Sequence, residues 1–379
     1  MENLIAILEK MPDPRQAWKI KHKISDILFI CLLAVTCNAN SASEIHDFAV
    51  SRKQWLQTIL TMENGIPSRL TFARVLQIIQ PKAFAVLFSQ IMANVEVISK
   101  RRVVALDGKA LASTYHNEGR KGLIYMVGAW CSENKISLAQ INTQAKSNEI
   151  TAIPELLDLL DLKGAIVTMD AMGCQKELVK KIVKEKKADY LIGLKGNQGT
   201  MYREFLEYAQ SMIQDPHEKD QYEMYRTIEK GHGRIEERRY YLFRDLDWFK
   251  DKKQWTGLSG LLLTESRRTD IKTATEAQSE IRLYITSAQG GVEEIAQASR
   301  SHWGIENNLH WVLDVGFRED QWLTRLQIEA ANLSQLRRLS ANLLKMETES
   351  KMSIQRKRYR CSLDMNFMES VVFNPQLFS

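Results

Sequence analysis

The sequence predicts an α/β protein: a helix-flanked sheet that follows a helical region and is interrupted by a mostly β insertion. Three observations predict it. Short continuous apolar runs such as Val103–Leu106 and Ala165–Met169 read as buried strands. Amphipathic segments such as Thr151–Leu160 and Cys174–Lys186 alternate with them. Alternating segments such as Ile281–Ile285 then gather between about residues 200 and 290.

In chain order, residues 1 to 98 read as helical. Ser25-Asp26 is placed to cap a helix over Ile27–Cys37, and Ala42–Leu60 reads as one further helix. Asn64-Gly65-Ile66-Pro67 breaks the pattern, which resumes over 71–79 and 83–97. From Arg101 the expected order is β-β-β-α-β-α-β. It comprises strands at 103–106, 123–131, 136–141, 165–169 and 190–194, with Ser132–Lys135 as a turn. In the insertion, 238–243, 261–264 and 281–285 read as strands. Val292–Leu313 and Ala330–Leu344 read as long helices. The domains expected are a helical one over 1–98, an α/β one with the β insertion over 99–330 and a basic helical tail over 331–379.

With 379 residues, 44% apolar and 26% charged, the chain has material for a sizeable core. Its five cysteines are widely spaced without a C-x-x-C, which fits a reducing compartment and neither structural zinc nor a disulfide framework. No leader or spanning segment is legible, so a cytoplasmic protein free of membranes is expected. The net charge is +6, and eight basic residues against two acidic ones lie between Arg337 and Arg360. That run suits a phosphate backbone, or equally a solvated helix end.

Two aspartates each end a buried strand before a turn: Asp107 before Gly108-Lys109, and Asp170 before Ala171-Met172-Gly173. Ligands of open α/β sheets sit beyond such strand ends. Adjacent carboxylates repel, and a divalent cation relieves the repulsion. A plain turn residue is the alternative for either aspartate alone. Glu306 falls between Trp303 and Leu309 on what reads as the sheet-facing stripe, where an acid needs a metal or a basic partner. His302, Glu306 and His310 also recur at helical spacing, a zinc-like arrangement that lacks the H-E-x-x-H signature. Lys195, Asn197 and Gln198 follow a core strand toward the aspartates' edge. Lys109, His232, Arg234, Arg300 and His302 are further candidate phosphate contacts. Trp303 and Trp311 read as core packing ahead of base stacking.

Several segments together resemble the H-repeat-associated proteins, a branch of the DDE insertion-sequence transposases. They are Pro12-Asp13-Pro14-Arg15-Gln16-Ala17-Trp18-Lys19, Ala105-Leu106-Asp107-Gly108-Lys109, the stretch from Lys146 to Leu157, Thr168 to Lys176, Lys195-Gly196-Asn197-Gln198, His232-Gly233-Arg234 and the Glu306 helix. The resemblance covers essentially the whole chain. It implies a ribonuclease-H-like mixed sheet, a β insertion before the last acid, and a DDE triad of Asp107, Asp170 and Glu306. That triad would hold two Mg2+ or Mn2+ ions about 3.5–4 Å apart. It implies cleavage at transposon ends, strand transfer, double-stranded DNA as partner (terminal inverted repeats and target) and a homodimer on DNA. The Tyr, Arg and Lys that many relatives carry around the final Glu are here Ser299, His302 and Leu313. Alternatives are a structure-selective nuclease on the same core, or a catalytically silent DNA-binding relic.

Overall fold

A computed structural model describes residues 2–93, 102–111, 124–143, 149–231, 233–273, 277, 279–321 and 326–374. Helices open the chain: α1 (Glu2–Leu8), α2 (Ile24–Thr36), α3 (Ala42–Ser51), α4 (Lys53–Ile59), α5 (Arg69–Ile78) and α6 (Pro81–Ala93). Then come β1 (Val103–Leu111), β2 (Ile124–Cys131), β3 (Ile136–Thr143), α7 (Glu149–Asp158), β4 (Ile166–Met169), α8 (Lys176–Lys180), β5 (Asp189–Leu194) and α9 (Gly199–Gln214). The chain continues through β6 (Tyr222–Gly231), β7 (Arg234–Phe243), β8 (Gly260–Asp270), β9 (Glu280–Thr286), α10 (Val292–His302), α11 (Gln327–Met346), α12 (Ile354–Leu363) and α13 (Met365–Val372).

The β-β-β-α-β-α-β order is the expected one, with local differences. Helix α2 starts at Ile24, so Ser25 lies inside its first turn, and the N-cap, Lys23, has no side-chain cap. The helix expected over 42–60 breaks at Arg52. The helix expected over 292–313 stops at His302 and gives way to π-helical turns over Ile305–His310 and Val312–Gly316. The insertion carries one strand more than expected, β6, and it begins with the helix α9.

The chain folds as two compact units. One holds Met1–Ile98, Gly108–Leu160 and Ile305–Ser379; the other holds Ser99–Asp107 and Asp161–Gly304. Strand β1 runs from the second into the first.

In the first unit α11 is buried from Ala330 to Leu344 and packs against α2, α5, α6, β3, α12 and α13. Its buried amides find backbone partners, as buried polar groups must. Asn332 Nδ2 donates to Leu76 O and Ile79 O at 2.8 and 2.9 Å, closing the carboxyl end of α5. Asn342 Nδ2 donates to Ser137 O of β3 at 2.7 Å.

Charge lies inside this unit as well. The carboxylate of Glu319 is fully buried. It accepts from Lys109 Nζ at 3.0 Å and Ser334 Oγ at 2.8 Å, with Arg338 at 3.6 Å and Arg337 at 4.0 Å. Lys109 also pairs with Asp314. Burial alone would raise Glu319, but Arg338 and Lys109 outweigh it and hold its pKa down at about 2. Farther on, Lys357 pairs with Glu347 at 2.9 Å. Arg358 stacks on Phe317 and donates to Val35 O and Gly316 O.

Half of the basic run is therefore interior, which corrects its reading as a phosphate-facing or solvated tail. Arg337, Arg338, Lys357 and Arg358 are buried among carboxylates and carbonyls, while Lys351, Arg356 and Arg360 remain exposed.

The second unit is built on a mixed sheet ordered β1-β4-β5-β9-β8-β7-β6. Strands β1, β4 and β5 are parallel; from the β5–β9 pair outward the pairing is antiparallel. The insertion strands thus extend the core sheet. Helix α10 covers one face, where Ile295, Ala296 and Ala298 pack with Val103, Ile166, Leu191, Tyr240 and Leu262. Beyond that core, charged neighbours pair: Arg226–Glu237 at 2.9 Å, Arg268–Glu236 at 2.8 Å and Arg238–Glu229 at 2.8 Å. Charge on the outer strands discourages edge-to-edge association. Among the described residues no single helix is long and apolar enough to cross a membrane.

The first unit should be acid-sensitive. The folded pKa of Glu319, about 2, lies below that of an unfolded glutamate, about 4.3. His310 is driven down to about 3, first by burial and then by Arg338 and Lys109, against about 6.5 when unfolded. In both cases the unfolded chain binds more protons, so stability is full near neutrality and declines from about pH 6.5 toward 2. Denaturant midpoints measured across that range should fall steadily on acidification. Glu319→Ala, which strands buried cations, should cost about 3–5 kcal/mol at pH 7; a midpoint unchanged from wild type would refute this account of the cluster.

Candidate active site

Parallel pairing aligns Val103, Val104, Ala105 and Leu106 of β1 with Ile166, Val167, Thr168 and Met169 of β4. The next residues are Asp107 and Asp170. Neighbouring strands run about 4.8 Å apart, so the two aspartates follow paired positions on adjacent strands. Strand alternation puts Asp107 on the face of Val103, and Asp170 on that of Ile166. Both faces are the one α10 covers. Asp107 is half-buried and Asp170 exposed. One expectation needs correcting. Asp107 does not end its strand, because β1 runs on to Leu111; it stands where the pairing with β4 ends.

The turn after β4 is held from several sides. The Asp170 carboxylate accepts from Met172 N at 3.0 Å, capping a single 3₁₀ turn over Ala171–Gly173. Asn197 Nδ2 donates to Ala171 O at 2.6 Å and Gln198 Nε2 to Cys174 O at 3.0 Å. Gly193 of β5 lies against the same turn, where a Cβ would sit 3.2 Å from Ala171 N. Asn197 and Gln198 therefore shape the Asp170 turn with the amides that were expected to grip DNA. Lys195, exposed beside them, keeps its charge at the surface.

Helix α10 ends at this edge. His302 Nδ1 lies 3.1 Å from Thr168 Oγ1, two residues before Asp170. Burial drives the imidazole down to about 4, against an opposing pull from Asp170. His302 is thus neutral at pH 7, so any phosphate contact it makes is a hydrogen bond and not an ion pair.

The remaining candidates scatter. Glu306 belongs to the other unit and is exposed, not buried on an apolar stripe. In the wider π-helical turns Ile305, Leu309 and Leu313 form the buried row. Lys109 is buried in the Glu319 cluster, which removes it from the surface cations. Arg234 is exposed at the start of β7, Arg300 pairs with Glu229 at 3.3 Å, and His232 lies outside the described residues. Trp303 stacks with Arg282, whereas Trp311 is exposed and not in the core. His310 has the cations Arg338 and Lys109 as neighbours, a poor place for zinc.

The donor chemistry at the strand ends fits a hard divalent cation: paired carboxylate oxygens select Mg2+ or Mn2+ over softer ions. Among the described residues no three His, Cys, Asp or Glu side chains stand close enough together to hold a metal.

Aspartates at the end of the pairing between two adjacent parallel strands place the chain among α/β proteins with a mixed sheet. Comparison with known proteins narrows this. Residues 98–343 match the family model described as Transposase DDE domain, and residues 5–92 match one described as DDE_Tnp_1-associated. The chain belongs to the DDE transposase family. It is 39% identical over 373 residues to "Putative transposase YncI" of Escherichia coli O157:H7, covering 98% of this chain and 95% of that protein. It is 37% identical over 375 residues to "H repeat-associated putative transposase YhhI" of Escherichia coli K12, 98% of each. A shorter relative of that strain, "Inactive transposase YbfQ", is 40% identical over 75 residues, 20% of this chain and 89% of that protein.

Gly193 and the two amides were not legible as positioning groups; a glycine within an apolar strand and a polar K-G-N-Q loop were the only signals. Gly193→Val should press on the Ala171 backbone and cost about 1–3 kcal/mol. Asn197→Ala should cost about 1 kcal/mol. Thermal or denaturant unfolding would measure both; a Gly193→Val variant as stable as wild type would show that the turn yields freely.

Proposed function

We propose that the chain is a DNA transposase that cleaves the ends of its element and joins them to target DNA, with Asp107, Asp170 and Glu306 as its acidic triad. The observation that carries the proposal is the shared register of Asp107 and Asp170 on the face that α10 covers. Glu306 enters through family membership and its place four residues after His302. In this reading the β1-to-β5 region with α10 is a ribonuclease-H-like core within 99–330, residues 1–98 are a transposase-associated domain, and two chains act together on DNA.

The three carboxylates would hold Mg2+ or Mn2+, which when bound polarises a phosphodiester and lowers the pKa of water. The chain's own residues supply position. Gly193 lets the turn approach β5 closely, Asn197 and Gln198 clamp its carbonyls, and Met172 N binds one Asp170 oxygen. That leaves the carboxylate oriented before substrate arrives, which is where an enzyme of this kind gains rate. Neutral His302 adds no charge to compete for Asp170. Lys195 stands at the same edge as a cation for a phosphate. Hydrolysis would free a 3′-hydroxyl at the element's end, and that hydroxyl would attack a target phosphodiester, displacing a 3′-oxygen. No enzyme-bound covalent intermediate is required.

Asp107→Asn, Asp170→Asn and Glu306→Gln keep shape and remove charge. Each should lower cleavage of DNA carrying the gene's own flanking repeats by at least about a hundredfold in Mg2+, with unfolding temperature maintained. Full cleavage by any one of them would remove that residue from the site. A joining assay with pre-cleaved ends separates a transposase from a nuclease on the same core, which cuts but does not join.

A further inference from the structure

The segment between α1 and α2 was singled out by sequence and is not used by the acidic site. It is basic: between Lys10 and Lys23 there are five Lys or Arg residues and one acid, Asp13. That acid is consumed internally. Arg15 clamps Asp13 through two contacts, Nε to Oδ1 at 2.8 Å and Nη2 to Oδ2 at 2.6 Å. The same Nη2 donates across the loop to His22 O at 2.8 Å, joining its two ends. Asn64 Nδ2 holds Lys21 O at 2.7 Å from the α4–α5 connection. Met11 and Ile24 are buried at the loop's two bases.

What this clamped loop presents is unusual. A 3₁₀ turn at its tip, Ala17–Lys19, carries Trp18, 79% exposed and the most exposed large apolar side chain among the described residues. Lys19 Nζ lies 4.5 Å from the Trp18 ring centre. Lys10, Lys19, Lys21 and Lys23 of the same segment are exposed, Lys23 at 3.9 Å from Glu9. Three residues of the segment, Lys21, His22 and Lys23, also line a cleft of about 180 Å3 whose other lining includes the acids Asp26 and Glu63. A rigid indole costs little conformational entropy on binding, and any base presents it with a π face. The surrounding ammonium groups complement a phosphate backbone. An unpaired base on a polyanion satisfies both features at once, whereas a second apolar protein surface would leave the lysines unmatched.

We propose that the Lys10–Lys23 loop is a DNA-binding element: its exposed lysines bind backbone phosphates while Trp18 stacks on an unpaired base at a frayed or single-stranded DNA end. The proposal rests on DNA being the substrate, but not on the acidic triad. It assigns recognition of the DNA end to a rigid loop of the N-terminal region.

The test is fluorescence anisotropy with the intact chain in EDTA, using labelled oligothymidylate and a blunt mixed-sequence duplex. Trp18→Ala should weaken oligothymidylate binding roughly 5- to 150-fold and change duplex binding by less than about twofold, with Trp18→Phe restoring most of the loss. Replacing Lys19, Lys21 and Lys23 together with Gln should weaken both probes and lower the salt slope for oligothymidylate by about 2. Unchanged affinities and slope in both variants, or no binding of either probe by wild type at low salt, would overturn the proposal. So would a Trp18→Ala variant that binds normally but changes sedimentation mass, which would mark the loop as a contact between copies. Loop-dependent binding without cleavage by the wild type would discard the catalytic reading alone.

Discussion

A single carboxylate without access to water organises the first unit. Glu319 brings together the end of β1 through Lys109, and α11 through Ser334, Arg337 and Arg338. An isolated ion at that depth would cost several kcal/mol, so each partner is needed where it stands. The cluster is a weak source of net stability for the same reason, since two charges must be desolvated for each pair formed. What it supplies is register. Strand β1 cannot slide along its axis without withdrawing Lys109 from Glu319, and α11 cannot rotate without exposing two guanidinium groups to apolar neighbours. Asp107 lies two residues before Lys109 on this strand.

The second unit sets its geometry by other means. Short parallel strands fix where pairing stops, and both aspartates stand one residue past that point. The turn after Asp170 has little freedom left. Its carbonyls bind Asn197 and Gln198, its amide binds the Asp170 carboxylate, and Gly193 closes the space beneath it. Each contact is worth about 1 kcal/mol, but they act on one short segment. The sequence places these groups after consecutive parallel strands, β4 and β5, so adjacency in the sheet brings them together.

Much of this was legible in the residues. Strands β1 to β5 were readable because apolar runs bounded by turns have few other interpretations, and the aspartates because they ended such runs. The insertion was legible where alternation was clean, as in β9, and missed in β6, whose burial is too slight to impose a pattern. Glu306 was misplaced for a geometric reason. A 3.6-residue period assigns it to the face of Leu309, but the helix changes to π turns after Trp303-Gly304 and the buried row becomes Ile305, Leu309 and Leu313. No local propensity announces that change. Burial of the C-terminal arginines was equally unreadable, because their partners, Glu319 and the carbonyls of Val35 and Gly316, come from other elements.

Net charge acquires a different meaning once those partners are counted. A total of +6 could be assigned entirely to residues 337–360 by position, yet half of the cations there are buried and matched. The outer strands of the insertion balance much of their charge in cross-strand pairs. In the Lys10–Lys23 loop the one acid is bound by Arg15, Lys23 lies 3.9 Å from Glu9, and Lys10, Lys19 and Lys21 face solvent. A polyanion responds to the cations that remain at the surface after such pairing, since buried pairs contribute little field outside and release no counterions. On that argument the N-terminal loop, with fewer basic residues than the C-terminal run, would offer a polyanion the more effective charge.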